Sequence, residues 1–305
     1  MADTSSSPIA TLFPGYFALV MATGIVAIAA DQQNLDPLAQ ILYVITVLAY
    51  VVLAVLLASR MIRYWSNFAA DVTNHAKGFA FLTTVAATNV LASASIVIHG
   101  WWNLAWALWW ASLVLWAAFV YTTLIAVVTD RDKPGLQGGI NGSWFLLTVS
   151  TQSIAVVAGL FLTRTDSDAL AFIAIAAFAL GVVLYLIVMT MVFLRWTFHP
   201  LDPTEADPPA WIAAGAVAIT VLAGSNILLA ADQATDRVAR LAPFLEGLVV
   251  TAWATATFWF PLMIAIGIWR HLVRRVPLRY HPSYWAMVFP LGMYGAATYR
   301  MNAAI

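Results

Sequence analysis

Cysteine is absent from all 305 residues, which excludes disulfides, thiolate metal sites and thiol nucleophiles in any compartment. Charge is scarce as well: Asp, Glu, Lys and Arg make up 9% of the chain, where a soluble domain carries about 25%. Water is therefore not its main solvent. Lys plus Arg is 14 and Asp plus Glu is 14, so the net charge is zero and no basic surface suggests a nucleic-acid partner. No positively charged segment precedes the first apolar stretch in MADTSSSPIATL, so the chain from Phe13 onward reads as a retained helix rather than a cleaved signal peptide. A catalytic triad, a phosphate loop and paired carboxylates are all missing, which argues against an enzyme and leaves no cofactor implied.

What is present is hydrophobic: 63% of the residues. A membrane span needs roughly 20 predominantly apolar residues, and nine stretches meet that without an internal charge, at 13–30, 38–59, 78–98, 101–129, 143–163, 169–194, 210–231, 247–269 and 282–299. The fold class is an all-α membrane protein. Ten basic residues (Arg60, Arg63, Lys77, Arg131, Lys133, Arg195, Arg270, Arg274, Arg275 and Arg279) fall on one side of these spans. Only Arg164, Arg237 and Arg240 fall on the other, and Arg300 follows the last span. The cytoplasmic face is the one enriched in Lys and Arg, so the N-terminus is expected in the cytoplasm and the protein in the plasma (inner) membrane.

The spans repeat. YFALVMATGIVAIAA, FAFLTTVAATNVLAS, WFLLTVSTQSIAVVAG, WIAAGAVAITVLAGS and WAMVFPLGMYGAATY each open on an aromatic residue and continue into small and hydroxylated ones, starting 63, 65, 67 and 74 residues apart. Each of the first four is followed by a more lipid-like span. The unit is a helical hairpin, and such repeats commonly surround a transport pathway in membranes. The expected organisation is a cytoplasmic tail at 1–12 and one transmembrane domain at 13–305, with hairpins at 13–59, 78–129, 143–194 and 210–269 and a partial fifth at 282–305. Nine helices are present, and a tenth is expected to complete the last hairpin.

The odd-numbered helices hold the polar and small side chains, including Asn89, Ser93, Gln152 and Ser153. Thr23, Gly24, Thr84, Thr88, Thr148, Thr151, Gly215, Thr220 and Gly292 are the candidates for lining a central lumen. Two readings stay open for them: short side chains around an axis where polar groups meet water or ions, or residues that let helices pack closely. No Asp, Glu, Lys, Arg or His lies in the middle of a span, which weakens proton or sodium coupling. Glu246 follows Pro243 and is expected at the start of the eighth helix, where the dipole favours a carboxylate. The five His are all in loops or at helix ends, and no pair has ligand spacing, so no metal site is expected. In the ninth span Phe289 precedes Pro290, and Pro261 lies in the eighth. Each proline is expected to kink its helix, and the kink at Pro290 turns Phe289 either across the lumen as a plug or against lipid or a neighbouring helix.

Residues 13–25 (FPGYFALVMATGI), 75–79 (HAKGF), 211–225 (WIAAGAVAITVLAGS) and 284–300 (YWAMVFPLGMYGAATYR) resemble the tellurite-resistance and C4-dicarboxylate transporter family, which includes fungal malate permeases and plant guard-cell slow anion channels. The resemblance implies ten helices as five hairpins, a central pore lined by the odd helices, a homotrimer with one pore per subunit, and a gate at Phe289. The family often carries proline in the third and fifth helices and His-Pro where this chain has His75-Ala76; here all three prolines are lacking. The expected function is channel-like conduction of small anions across the lipid bilayer, selected by dehydration cost and pore diameter. The alternatives are a proton-coupled transporter of C4-dicarboxylates or tellurite, and a membrane scaffold or sensor docking a partner at 60–77 or 270–281.

Overall fold

In the computed structural model, residues 7–203, 208–231 and 236–305 are described; the first half of the expected N-terminal tail lies outside them. Nine long helices make up the fold, and no strand occurs among the described residues. They are α1 (Ala18–Gln32), α2 (Asp36–Arg63), α3 (Thr83–His99), α4 (Trp102–Thr129), α5 (Leu146–Leu162), α6 (Asp168–Phe198), α7 (Ile212–Leu228), α8 (Asp236–Ile268) and α9 (Trp285–Ala304). Counted with their leading and trailing turns, α1 to α8 are long and apolar enough to cross a membrane, so the protein is an all-α, multi-pass membrane protein. α9 has 20 residues but is not among those eight; it carries Arg300 and Asn302 in its last turns.

Burial alternates along the chain. In the most apolar part of each span, 72–100% is buried for α1, α3, α5 and α7 and only 17–33% for α2, α4, α6 and α8. The reason is the solvent: hydrocarbon accepts Leu, Val and Ile freely and offers polar groups no partner. Helices rich in Thr, Ser and Gly therefore go inside. α1 packs on α3, α3 on α5, α5 on α7, α7 on α9 and α9 back on α1, which closes a ring of five helices. The outer helices lean on this ring, α2 on α1, α4 on α3, α6 on α5 and α8 on α7.

Every ring helix begins with a tight 3-10 turn, at Pro14–Phe17, Gly78–Leu82, Gly142–Phe145, Pro208–Trp211 and Pro282–Tyr284. Proline opens three of them, where its missing N–H costs nothing. The five turns also contact one another in a closed circuit, so all five ring helices present their N-termini at one end of the molecule. Glycine is required at 142, because a Cβ there would overlap the Pro209 carbonyl of the adjoining turn.

Three sequence expectations are corrected. α8 starts at Asp236, not near 247, and runs through Pro243. Arg237 anchors its first turn by a two-pronged pair to Asp168 at 2.8 and 2.7 Å, and Asp236 supplies the acidic N-terminus. Glu246 is thus an exposed mid-helix residue rather than a helix-start carboxylate. Arg300 lies inside α9, not beyond it. Finally, Arg60 is more than a topology signal: at 1% exposure it binds the Leu12 and Asn67 carbonyls and the Asp71 carboxylate. This pins the short helix Trp65–Val72 beneath α2. The helices continue through Pro261 and Pro290.

Gly142→Ala is expected to lower stability by about 2 kcal/mol, the usual cost of overpacking a filled site. Thermal unfolding in detergent checks this, with Gly135→Ala as control, since nothing lies within 4 Å of a Cβ at Gly135.

Candidate functional site along the ring axis

Five helices in a ring leave an axis that only side chains can fill. Four cavities follow it in order. At the end where the turns converge, the near cavity has a volume of about 380 Å³ and is bordered, among the described residues, by Lys77, Asn141, Arg270, Arg279, His281 and Ser283 with their neighbours. Beneath it a chamber of about 30 Å³ takes Ala18 and Met21 from α1, Thr83 from α3, Leu146 from α5, Ile212 from α7, and Ala286 and Phe289 from α9. All five ring helices contribute, which places this chamber on the axis. A smaller chamber of about 10 Å³ follows, lined by Ile25, Ile28, Asn89, Ser93, Ser153 and Ile219 with their neighbours. It shares Ile28, Ser93, Val156 and Leu222 with a far cavity of about 260 Å³ that reaches Asp31, Gln32, Asn226 and Arg300.

The two small chambers share no lining residue. The break falls where Phe289, 1% exposed, lies at the wall of the upper chamber. Two glycines bring its helix close to its neighbours. A Cβ at Gly215 would meet the Pro290 ring at 2.8 Å, and one at Gly292 would meet Ile25 Cγ2 at 3.0 Å. Gly215 therefore admits α9 to α7, and Gly292 admits it to α1. Pro290 has no N–H to give the Ala286 carbonyl one turn back, in the wall of the same chamber.

Polar groups near the turns are directed back into the backbone. Asn141 Oδ1 accepts from the Ser143 N–H at 2.8 Å and from its hydroxyl at 2.6 Å, and His281 Nδ1 accepts from the Ser283 N–H at 3.2 Å. Thr83 donates to the Ala80 carbonyl at 2.7 Å. Beyond Phe289 the polar contribution is a side-chain chain: Ser112 of α4 donates to Asn89 Oδ1 at 2.8 Å, and Asn89 Nδ2 donates to Ser153 Oγ at 2.9 Å.

The nine lining candidates stand elsewhere, and none borders these four cavities. Thr23 donates to the Leu19 carbonyl and accepts from Thr46 of α2, and a Cβ at Gly24 would press on Val90 and Thr46. Thr84 donates to the Phe81 carbonyl. Thr88 bonds Tyr50 of α2, and Thr151 accepts from Trp116 of α4. Thr148 is fully buried and its hydroxyl has no hydrogen-bond partner among the described residues. Gly215 and Gly292 serve the helix contacts around Pro290. Thr220 borders an apolar side cavity between α6, α7 and α8. In a membrane helix a hydroxyl is readily satisfied by the carbonyl three or four residues back or across a helix interface, which accounts for these bonds. The better signal was spacing: Ala18, Met21, Ile25 and Ile28 share one face of α1, as Asn89 and Ser93 do in α3. Asn226 and Arg300 had no such signal. Among the described residues no cluster of three or more His, Asp or Glu gathers to hold a metal.

Residues 11–305 match the family profile described as "SLAC1: Voltage-dependent anion channel". Relatives include the "Uncharacterized membrane protein Rv1735c" of Mycobacterium tuberculosis, 45% identical over 125 residues that cover 40% of this chain and 60% of the relative. The chain thus spans less than two thirds of that protein's length. The "Uncharacterized transporter MJ0576" of Methanocaldococcus jannaschii is 24% identical over 294 residues, 94% of this chain and 82% of the relative. The "Sulfite efflux pump SSU1" of Trichophyton rubrum is 24% identical over 317 aligned positions, 96% of this chain and 82% of the relative.

With no native cysteine, single thiols report cleanly on these positions. A membrane-impermeant thiol reagent is expected to label Ser93→Cys and Asn226→Cys from the far side and Ser283→Cys from the near side. Thr88→Cys and Thr151→Cys should stay unlabelled. Labelling of Thr88→Cys as fast as that of Ser93→Cys would contradict this placement.

Proposed function

Because the chain belongs to the voltage-dependent anion channel family, we propose that it conducts small anions along the axis of its five-helix ring and is closed by the phenyl group of Phe289. The observation that carries this reading is the row of axial cavities, of which the chamber at Phe289 and the far cavity are lined by all five ring helices and the small chamber between them by four. Charge supports it. Lys77, Arg270, Arg279 and His281 border the near cavity, and five helix N-termini point there, each bearing about half a positive charge. Anions are concentrated at such a mouth.

The waist is neutral. Among the described residues no Asp, Glu, Lys, Arg or His lines either small chamber, so an anion crossing it exchanges water for Asn89, Ser93, Ser153 and apolar wall. Anions that shed water most easily should then pass best. The bias of basic residues to the near side puts that side, and the N-terminus, in the cytoplasm of a plasma-membrane protein. In this reading the helices form hairpin repeats, each an axial helix followed by an outer one, and the apolar outer helices join three copies, each with its own pathway.

A second reading is a coupled carrier for an oxyanion, favoured by the similarity to a sulfite efflux pump and a transporter. The neutral waist weighs against it, because coupling to protons ordinarily uses an intramembrane acid or His. Flux that saturates and moves protons in fixed ratio would favour the carrier, and C4-dicarboxylate or tellurite as substrate would show in the same assay.

Phe289→Ala is expected to raise anion current in planar bilayers roughly tenfold or more, the effect of removing about 1.4 kcal/mol of barrier. Unchanged current in a correctly folded variant would refute the gate.

A further inference from the structure

Arg300 stands in the wall of the far cavity, in the last turns of α9. An arginine inside a membrane helix is costly unless it meets a partner or water. Its Nε donates to Asn226 Oδ1 at 3.0 Å. Asn226 is itself fixed: it is 2% exposed and donates from Nδ2 to the Val156 carbonyl of α5 at 3.2 Å. Space for it comes from Gly159, where a Cβ would lie 2.9 Å from Asn226 Cβ. Three ring helices thus aim one guanidinium.

Only one edge of that guanidinium is used. Among the described residues its two terminal nitrogens make no hydrogen bond or ion pair with protein. Asp31 borders the same cavity, yet no ion pair joins it to Arg300 among the described residues. Ser93, on the border between the far cavity and the small chamber, adds a hydroxyl with no hydrogen bond to protein among the described residues.

We propose that Arg300, positioned by Asn226, binds a small oxyanion in the far cavity, as the last station on the path beyond Phe289. The chemistry selects the ligand. A guanidinium presents its N–H groups as a planar fork that matches two oxygens of one anion, so nitrate or hydrogen sulfite fits better than a spherical halide. Asp31, in the same cavity, repels the anion and keeps its hold loose enough for release. The site deepens the anion-pathway reading and rests on it for its role in flux, but its occupancy is measurable without flux.

The test uses the full chain purified in detergent, with unfolding midpoints followed in nitrate, chloride and gluconate at constant ionic strength. Nitrate is expected to raise the wild-type midpoint in proportion to the logarithm of its concentration once that exceeds the dissociation constant. Arg300→Gln should weaken the apparent nitrate affinity about tenfold or more, as for loss of hydrogen bonds to a charged group. Arg300→Lys should keep an anion response but lose the preference for nitrate over chloride, and Asp31→Asn should strengthen nitrate binding. No nitrate response in wild type, or an equal one in wild type and Arg300→Gln, overturns the site. The anion-pathway reading is judged separately by bilayer current through Phe289→Ala: a folded variant without anion current refutes that reading, while the midpoints still decide the site.

Discussion

Hydrocarbon offers no partner to a buried amide or hydroxyl, and this constraint orders the whole molecule. The helices that carry Thr, Ser, Asn and Gln withdraw from lipid into a ring, and the helices dominated by Leu, Val, Ile and Trp cover it. Polar side chains then join the two layers. Thr46 of α2 bonds Thr23 of α1, Trp116 of α4 bonds Thr151 of α5, Gln152 of α5 reaches the Phe178 carbonyl of α6, and Trp253 of α8 bonds Thr298 of α9. Such bonds are individually modest, but inside a bilayer they fix which outer helix lies on which inner one.

The same demand shapes the axis. Once most hydroxyls are committed to their own helix or to an outer neighbour, the axial wall is left to Ala, Met, Ile and Leu with a few amides and hydroxyls. Glycine and proline act here through geometry. Gly215 and Gly292 let α9 sit against α7 and α1 around Pro290, so the residue before that proline, Phe289, is held in a fixed relation to both neighbours. A larger side chain at either glycine would move the phenyl group without touching it.

Charge is separated from this apolar waist. The near mouth gathers basic side chains and five helix N-termini, and the far mouth holds Arg300 facing a cavity shared with Asp31. Charges at the mouths keep water, whereas a charge at the waist would bear the full cost of desolvation. Basic side chains at the near end, and Arg300 with Asp31 at the far end, thus flank a centre whose described lining is uncharged.

The sequence by itself determined the all-α, multi-pass membrane class, and it drew attention to a recurring span pattern and to Phe289 with Pro290. These follow from composition, span length and backbone chemistry, all local properties. It did not reveal which face of each inner helix meets the axis, because Thr88 and Ser93 look alike in sequence, yet one bonds Tyr50 and the other borders two axial cavities. Nor did it show that α8 passes through Pro243, since the Arg237 to Asp168 pair that anchors its start joins residues 69 apart. Arg300 read as a residue beyond the last span, and only the approach of Asn226 from α7 makes it part of a cavity. Those features depend on which helices become neighbours, and that was decided by the closing of the ring.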